Sequence, residues 1–261
     1  MLKMQKELLE SFIKLLAGAI DSKSPYTGGH CQRVPVLTKL LARKACESVE
    51  EPFAEFSLTD EEWEAIHIAS WLHDCGKVTT PEFVVDKATK LETIYDRIHE
   101  VRMRFEVLKR DAHIHCLQEA VDGGDLQALQ QQLEATWHQL DQEFAFIAEC
   151  NLGGEFMAQE KVERLEKIAE RTWMRSLDDR LGISWEELKR KEREPAPVLP
   201  VEERLLADRN DHLFTRSEKY QLSEDNEYGF VLDVPQYLYN RGELYNLSVA
   251  RGTLTEEERY H

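Results

Sequence analysis

The sequence predicts an all-helical protein, and three observations carry that expectation. Apolar residues recur three or four apart through most of the 261 residues, the spacing that gathers them on one helix face. Helix start signals and glycine-containing stops fall between these periodic runs. A single short segment, residues 228–235 (Tyr-Gly-Phe-Val-Leu-Asp-Val-Pro), has the composition of a strand.

Leu8, Leu9, Phe12, Ile13, Leu15, Leu16 and Ile20 mark a first helix that ends at the Ser24-Pro25 breaker. Thr27-Gly28-Gly29 opens a second, with Val34, Leu37, Leu40 and Leu41 as its apolar face. A third spans residues 58–72; Thr59-Asp60-Glu61-Glu62 is its start signal, and Trp63, Ile66, Ile68, Ala69 and Leu72 are its apolar residues. Long helical stretches follow at 91–121, 126–150 and 155–181, separated by Asp122-Gly123-Gly124 and Asn151-Leu152-Gly153-Gly154. In the middle stretch Leu126, Leu129, Leu133, Trp137, Leu140, Phe144 and Ile147 make a narrow seam, as in an antiparallel helical hairpin or coiled coil. Such a seam is a packing or dimerisation surface before it is a site of chemistry. The proline-rich residues 194–200 read as a stiff linker, followed by a short helix near 201–207. A last helix opens at Thr255, at capping-box spacing from Glu258.

The balance of 33 Lys+Arg against 50 Asp+Glu gives a formal charge of −17. It argues against non-specific binding to nucleic acid or to an anionic membrane. A phosphate-ester substrate would have to be attracted by metal ions or a few local cations. The cysteines (Cys31, Cys46, Cys75, Cys116, Cys150) are scattered and form no CxxC pair, which indicates free thiols in a reducing compartment. No apolar run reaches membrane-spanning length, and the first residues begin an amphipathic helix instead of a secretion signal. The expectation is a cytoplasmic protein without membrane insertion.

The chemistry is concentrated at His73-Asp74-Cys75-Gly76-Lys77, which closes the third helix. Adjacent residues there offer a metal ion an imidazole nitrogen and a hard carboxylate oxygen. Upstream lies Ile20-Asp21-Ser22-Lys23-Ser24-Pro25-Tyr26-Thr27-Gly28-Gly29-His30-Cys31-Gln32-Arg33-Val34, with His30 in the first turn of the second helix. Together His30, His73 and Asp74 would supply two nitrogens and a carboxylate from neighbouring helices, as helix-bundle metal sites do. The plainer alternatives are core histidines without metal, and Lys77 as a cation complementing a helix C-terminus.

Residues 21–34, with Leu72-His73-Asp74-Cys75-Gly76-Lys77-Val78 and Pro81, resemble the front half of an HD-GYP domain. That is a branch of the HD superfamily of metal-dependent phosphohydrolases, similar to bacterial phosphodiesterases that cleave cyclic di-GMP. The resemblance covers about residues 9–90 and resumes around 247–260. It implies an HD-type helical bundle whose first part is residues 1–90. Residues 91–193 would be inserted long helices, 194–246 a linker and irregular segment, and 247–261 the start of a returning core helix. It also implies that His30, His73 and Asp74 bind two iron or manganese ions, with Asp74 bridging. The metals would lower the pKa of the water that attacks phosphorus, and Lys77 would neutralise charge on the phosphate. Cyclic di-GMP or a related nucleotide is the implied substrate.

Typical members take further ligands from a His in the helix opened here by Leu254, from a later His pair and from a final Asp, ahead of a Gly-Tyr-Pro. None of these has a counterpart up to His261. The expectation is therefore an incomplete site, easily stripped of metal, in a chain of low or no activity. A second reading is a catalytically silent regulatory or dimerisation module of a signalling protein, with a homodimer through the helical seam.

The other histidines are expected to be structural or exposed. His67 falls on the face opposite His73, and His99, which could stand in for a missing ligand, sits among Arg and Glu neighbours that look like an exposed insertion helix. His113 and His115 diverge by about 200° on a helix, and His138 and His212 have no recognisable context. The basic run Arg102, Arg104, Lys109 and Arg110 is expected to pair with acids.

Overall fold

The computed structural model describes residues 2–23, 29–217, 229 and 233–260. The breaker at residues 24–25, the opening Thr27-Gly28 and half of the strand expected at 228–235 (residues 228 and 230–232) lie outside the described residues. Ten α-helices and four short strands are present among them, so the all-helical expectation holds. The chain divides into two compact units, Met1–Asp86 and Lys87–Tyr260.

In the first unit α1 (Leu2–Lys23), α2 (His30–Glu47) and α3 (Asp60–Leu72) pack on one another, and a single turn, α4 (Glu82–Val85), follows. Their shared core is small: Ala17, Ile20 and Cys31 are buried, with Trp71 against them. The face α2 buries is that of Cys31 and Pro35. Leu37, Leu40 and Leu41, expected as its apolar face, are exposed, as are Met4, Leu8, Phe12 and Leu15 on α1.

The second unit is built on α5 (Ile98–Val121) and α6 (Leu126–Asn151), an antiparallel hairpin. Phe105 meets the Phe144 ring edge-on, Trp137 Nε1–H donates to the Lys109 carbonyl, and Lys109 pairs with Asp141. The seam predicted on α6 thus packs within the chain, burying Leu133, Leu140 and Ile147 while Leu126 stays exposed. Gly124 closes the turn because a Cβ there would lie 2.9 Å from both the Glu119 carbonyl oxygen and Leu129. The helix expected from residue 91 begins at Ile98, whose N–H is capped by Asp96.

Two expectations about residues 155–207 are corrected. The predicted helix over 155–181 is only α7 (Gln159–Ala169), after which Thr172–Arg175 forms strand β1. The helix expected near 201–207 is strand β2 (Val201–Arg204), which pairs antiparallel with β1. Cross-strand contacts explain the change: Thr172 Oγ1–H donates to Glu202 and Arg175 pairs with Glu203. A partner 28 residues away outweighs the local helical preference of these residues. The linker is preceded by a further helix, α8 (Trp185–Lys191), capped by Ser184. Residues 228–235 were expected to hold the single strand, but besides β1 and β2 a second ribbon joins β3 (Leu213–Thr215) to β4 (Tyr237–Asn240).

Helices α9 (Glu243–Leu247) and α10 (Glu256–Arg259) close this unit. The Thr255–Glu258 capping box forms as expected. Buried charges tie the ends together. Lys87 Nζ donates to both Glu258 carboxylate oxygens, at 2.9 and 2.8 Å, and Arg104 grips Glu243 with bonds of 2.6 and 2.9 Å. Burial opposes ionisation of Glu243, but Arg104 overrides it and holds the carboxyl below the usual range. Among the described residues Lys90 has no carboxylate partner; its ammonium donates to the Leu247 and Val249 carbonyls, and burial depresses its pKa.

Two stability predictions arise here. Lys87→Met leaves Glu258 buried without a counter-ion and costs roughly 3–5 kcal/mol in denaturant unfolding, while Lys87→Met/Glu258→Gln recovers most of that loss. An undiminished midpoint in the single variant would contradict the buried pair. The second prediction concerns His212, which burial and the neighbouring Arg209 cation hold down to about 4. The unfolded imidazole binds its proton first, so stability is full above about pH 6.5 and is lost as pH falls toward 4, by roughly 2–3 kcal/mol. His212→Gln should flatten that part of the stability–pH curve.

Candidate metal centre

The site begins with the ends of two helices. Helix α3 is fixed at its start by a capping box, in which Thr59 Oγ1 accepts from the Glu62 N–H and the Glu62 carboxylate accepts from the Thr59 N–H. Thirteen residues later it stops at Leu72, and His73 is its C-cap. Unpaired carbonyls make a helix C-terminus electronegative, a setting that favours a cation. Asp74 leaves the helix, and a 3-10 turn over Cys75–Val78 folds Lys77 back toward it, the Lys77 N–H donating to the Asp74 carbonyl at 3.0 Å.

Helix α2 enters from the other side. Gly29 holds a left-handed φ of 72°, which a side chain would strain, and His30 follows as the first helical residue. Asp21 on α1 accepts from the Cys31 N–H at 3.3 Å, satisfying a free donor of the α2 start. Beside it the buried Cys31 thiol is pushed up to about 11, chiefly by burial and then by Asp21, so it remains a protonated packing group.

These ends bring together His30, His73, Asp74 and Lys77, all four residues singled out from the sequence. Nε2 of His30 lies 3.1 Å from Nε2 of His73, and the two nitrogens lie 3.6 and 3.3 Å from Asp74 Oδ2. Lys77 Nζ donates to that same oxygen at 2.7 Å. The side chains of His30, His73 and Asp74 are 41%, 32% and 16% exposed, so the cluster is open to solvent on the histidine side.

The donor set fits a divalent ion. Two ligands each about 2.1 Å from one metal sit about 3.0–3.4 Å apart at tetrahedral or octahedral angles, close to the spacings found here. Tautomers agree as well. His73 Nδ1 lies 2.9 Å from the Ser70 carbonyl, which can only accept. Nδ1 therefore carries the proton and Nε2 turns its lone pair toward His30 and Asp74. This backbone orienter was not foreseen from the sequence, although Ser70 stands three residues before His73, one turn back on the same helix. Among the described residues, His30, His73 and Asp74 are the one such group close enough to share an ion. Three protein ligands leave positions for water or substrate.

The remaining histidines stand elsewhere. His99 is on α5 in the other unit, its Nδ1 2.6 Å from Arg102. His113 packs edge-on against Trp137, and His138 bonds Gln142. His67 is on α3 but has no part in the cluster.

Comparison with known proteins gives a partial likeness. The chain is 36% identical over 84 residues to 3'3'-cGAMP-specific phosphodiesterase 3 of Vibrio cholerae, a stretch covering 32% of this chain and 16% of that protein. It is 33% identical over 89 residues to phosphodiesterase 1 of the same name and organism, covering 34% and 18%. With phosphodiesterase 2 it shares 32% over 87 residues, covering 33% and 15%. The likeness is to one segment only. It spans about one-sixth of the length of these relatives. No family model matches the chain, and no solved structure matches it. Among the described residues no helix is long and apolar enough to cross a membrane.

The geometry predicts how metal content responds to substitution. Protein purified without chelator should carry a divalent metal by elemental analysis, and Asp74→Ala or His73→Ala should lower retention by at least about tenfold. Equal metal in wild type and both variants would remove the cluster as the binding site.

Proposed function

We propose that the first unit is the metal-binding part of an HD-GYP-type phosphohydrolase that cleaves a phosphodiester of a 3'3'-cyclic dinucleotide. The carrying observation is the convergence of His30, His73 and Lys77 on Asp74, with a nitrogen of each within 3.6 Å of one carboxylate oxygen. The partial likeness to three cyclic-dinucleotide phosphodiesterases supports the substrate class. The motifs at 21–34 and 72–78 support the reaction type.

On this reading His30 and His73 hold a divalent ion through their Nε2 atoms, and Asp74 shares its charge between that ion and Lys77. Iron or manganese suits this mixed imidazole and carboxylate set. When bound, the ion supplies Lewis acidity and a water of lowered pKa. Ser70 keeps the His73 ring in the binding tautomer. Lys77, held by Asp74 at the rim, offers its ammonium to a non-bridging phosphate oxygen and stabilises charge as the phosphorus–oxygen bond breaks. In a chain of net charge −17 such a local cation is what draws in an anionic substrate.

One observation favours the silent regulatory reading: the described residues bring three ligands together, fewer than two ions require. Hydrolysis assays separate the two. The purified chain, supplied with Fe(II) or Mn(II), is tested on 3'3'-cGAMP and on cyclic di-GMP. The enzymatic reading expects linear dinucleotide or mononucleotide product. Asp74→Ala should abolish turnover together with metal, whereas Lys77→Ala should lower turnover by about a hundredfold at unchanged metal content. Absence of turnover with either substrate in the metal-loaded chain would leave the silent reading standing.

A further inference from the structure

A second cleft lies in the first unit, lined by residues none of which belongs to the metal cluster. It has a volume of about 810 Å³, within the range of small-molecule sites. Its lining is divided by chemistry. Leu9 and Ile13 of α1 and Trp63 and Ile68 of α3 give an apolar floor, and Lys39 and Arg43 of α2 form a cationic wall. Acidic groups line it too, but two already have partners: Glu64 binds Lys6 at 2.9 Å and Glu10 lies 4.0 Å from Lys14. Asp60 and Glu61 sit in the first turn of α3, where carboxylates complement the helix dipole. Lys39 and Arg43 differ. They stand four apart on one helix face, and among the described residues neither has a carboxylate within ion-pair distance.

His67, also in the lining, completes the picture. Its Nδ1 is buried and, among the described residues, has no hydrogen-bond partner, although such an atom normally finds one. Burial, followed by the nearby Lys39 charge, lowers the His67 pKa, so the ring is neutral at pH 7. A neutral imidazole and the half-buried Trp63 indole, beside two cations without an ion-pair partner among the described residues, suit a polar group attached to a flat apolar body.

We infer that this cleft binds a small aromatic anion, its acidic group between Lys39 and Arg43 and its ring on Trp63, beside the His67 ring. The site has a route to the metal cluster along α3. Ser70 Oγ–H donates to the His67 carbonyl at 2.8 Å, and the Ser70 carbonyl orients His73. Occupancy that shifts His67 would be felt one turn away at the residue setting the His73 tautomer. The inference does not depend on the reaction proposed above.

The test uses the full chain and 8-anilinonaphthalene-1-sulfonate, an aromatic sulfonate whose fluorescence rises on binding. A single saturable site is expected, and Lys39→Gln/Arg43→Gln should weaken it by at least about tenfold, given that hydrogen bonds to charged groups contribute more than neutral ones. Far-UV circular dichroism establishes that this variant, altered only at the surface, keeps its helices. Leu8→Gln/Leu41→Gln removes apolar groups that lie outside the cleft and should leave the affinity unchanged. In two-bond 1H–15N spectra, the probe should move the His67 Nδ1 resonance. Affinity indifferent to Lys39→Gln/Arg43→Gln, affinity lost instead in Leu8→Gln/Leu41→Gln, or an unmoved His67 signal would each overturn the inference.

Discussion

The meeting of His30 with His73, 43 residues apart in the chain, depends on a few buried atoms. Ala17 and Ile20 of α1 and Cys31 of α2 are almost wholly removed from water, and Trp71 of α3 packs against them. Cys31 follows His30, and Trp71 precedes His73 by two residues. Locking that pair in the core therefore aims the two imidazoles at one another. Burying side chains of this size contributes roughly 1–3 kcal/mol each, so an enlarged or emptied position here would shift the donors and not merely soften the unit. Polar contacts then refine what packing has set. Asp21 secures the start of α2, and the Ser70 carbonyl chooses the His73 tautomer.

The second unit solves a different problem. Its helical hairpin has a long apolar core, yet the segments on either side of it are short and need other ties. Ion pairs out of water supply them: Lys87 with Glu258, and Arg104 with Glu243. Charges so placed stabilise little compared with apolar residues of the same shape, but they penalise wrong partners heavily. Asn151 works in the same way without charge. Its side-chain oxygen accepts from the Leu91 N–H and its amide donates to Asp96, fastening the loop before α5 to the end of α6.

Much of this was legible from local chemistry. Capping boxes at Thr59 and Thr255 are encoded in four consecutive residues, so both helix starts fell where the sequence put them. Period and turn glycines were enough for the α5–α6 hairpin. The errors cluster where the deciding partner is distant. Residues 172–175 and 201–204 look helical by themselves and become strands because they pair with each other. Leu37, Leu40 and Leu41 have the periodicity of a buried face, but the neighbouring helices meet α2 through Cys31 and Pro35.

The site shows the same division. Residue types and spacing singled out His30, His73 and Asp74, because metal chemistry demands imidazole and carboxylate donors and those are written in the motif, whereas a role for Lys77 came from the resemblance to an HD-GYP domain. Their separations, the shared Asp74 oxygen and the Ser70 contact were decided by tertiary packing, since each depends on the angle at which α2 meets the end of α3. His67 makes the point most sharply. By sequence it is a histidine on the wrong face of a helix; only the packed helices leave its Nδ1 buried and, among the described residues, unpartnered, because hydrogen-bond satisfaction is a property of surroundings and not of residue type.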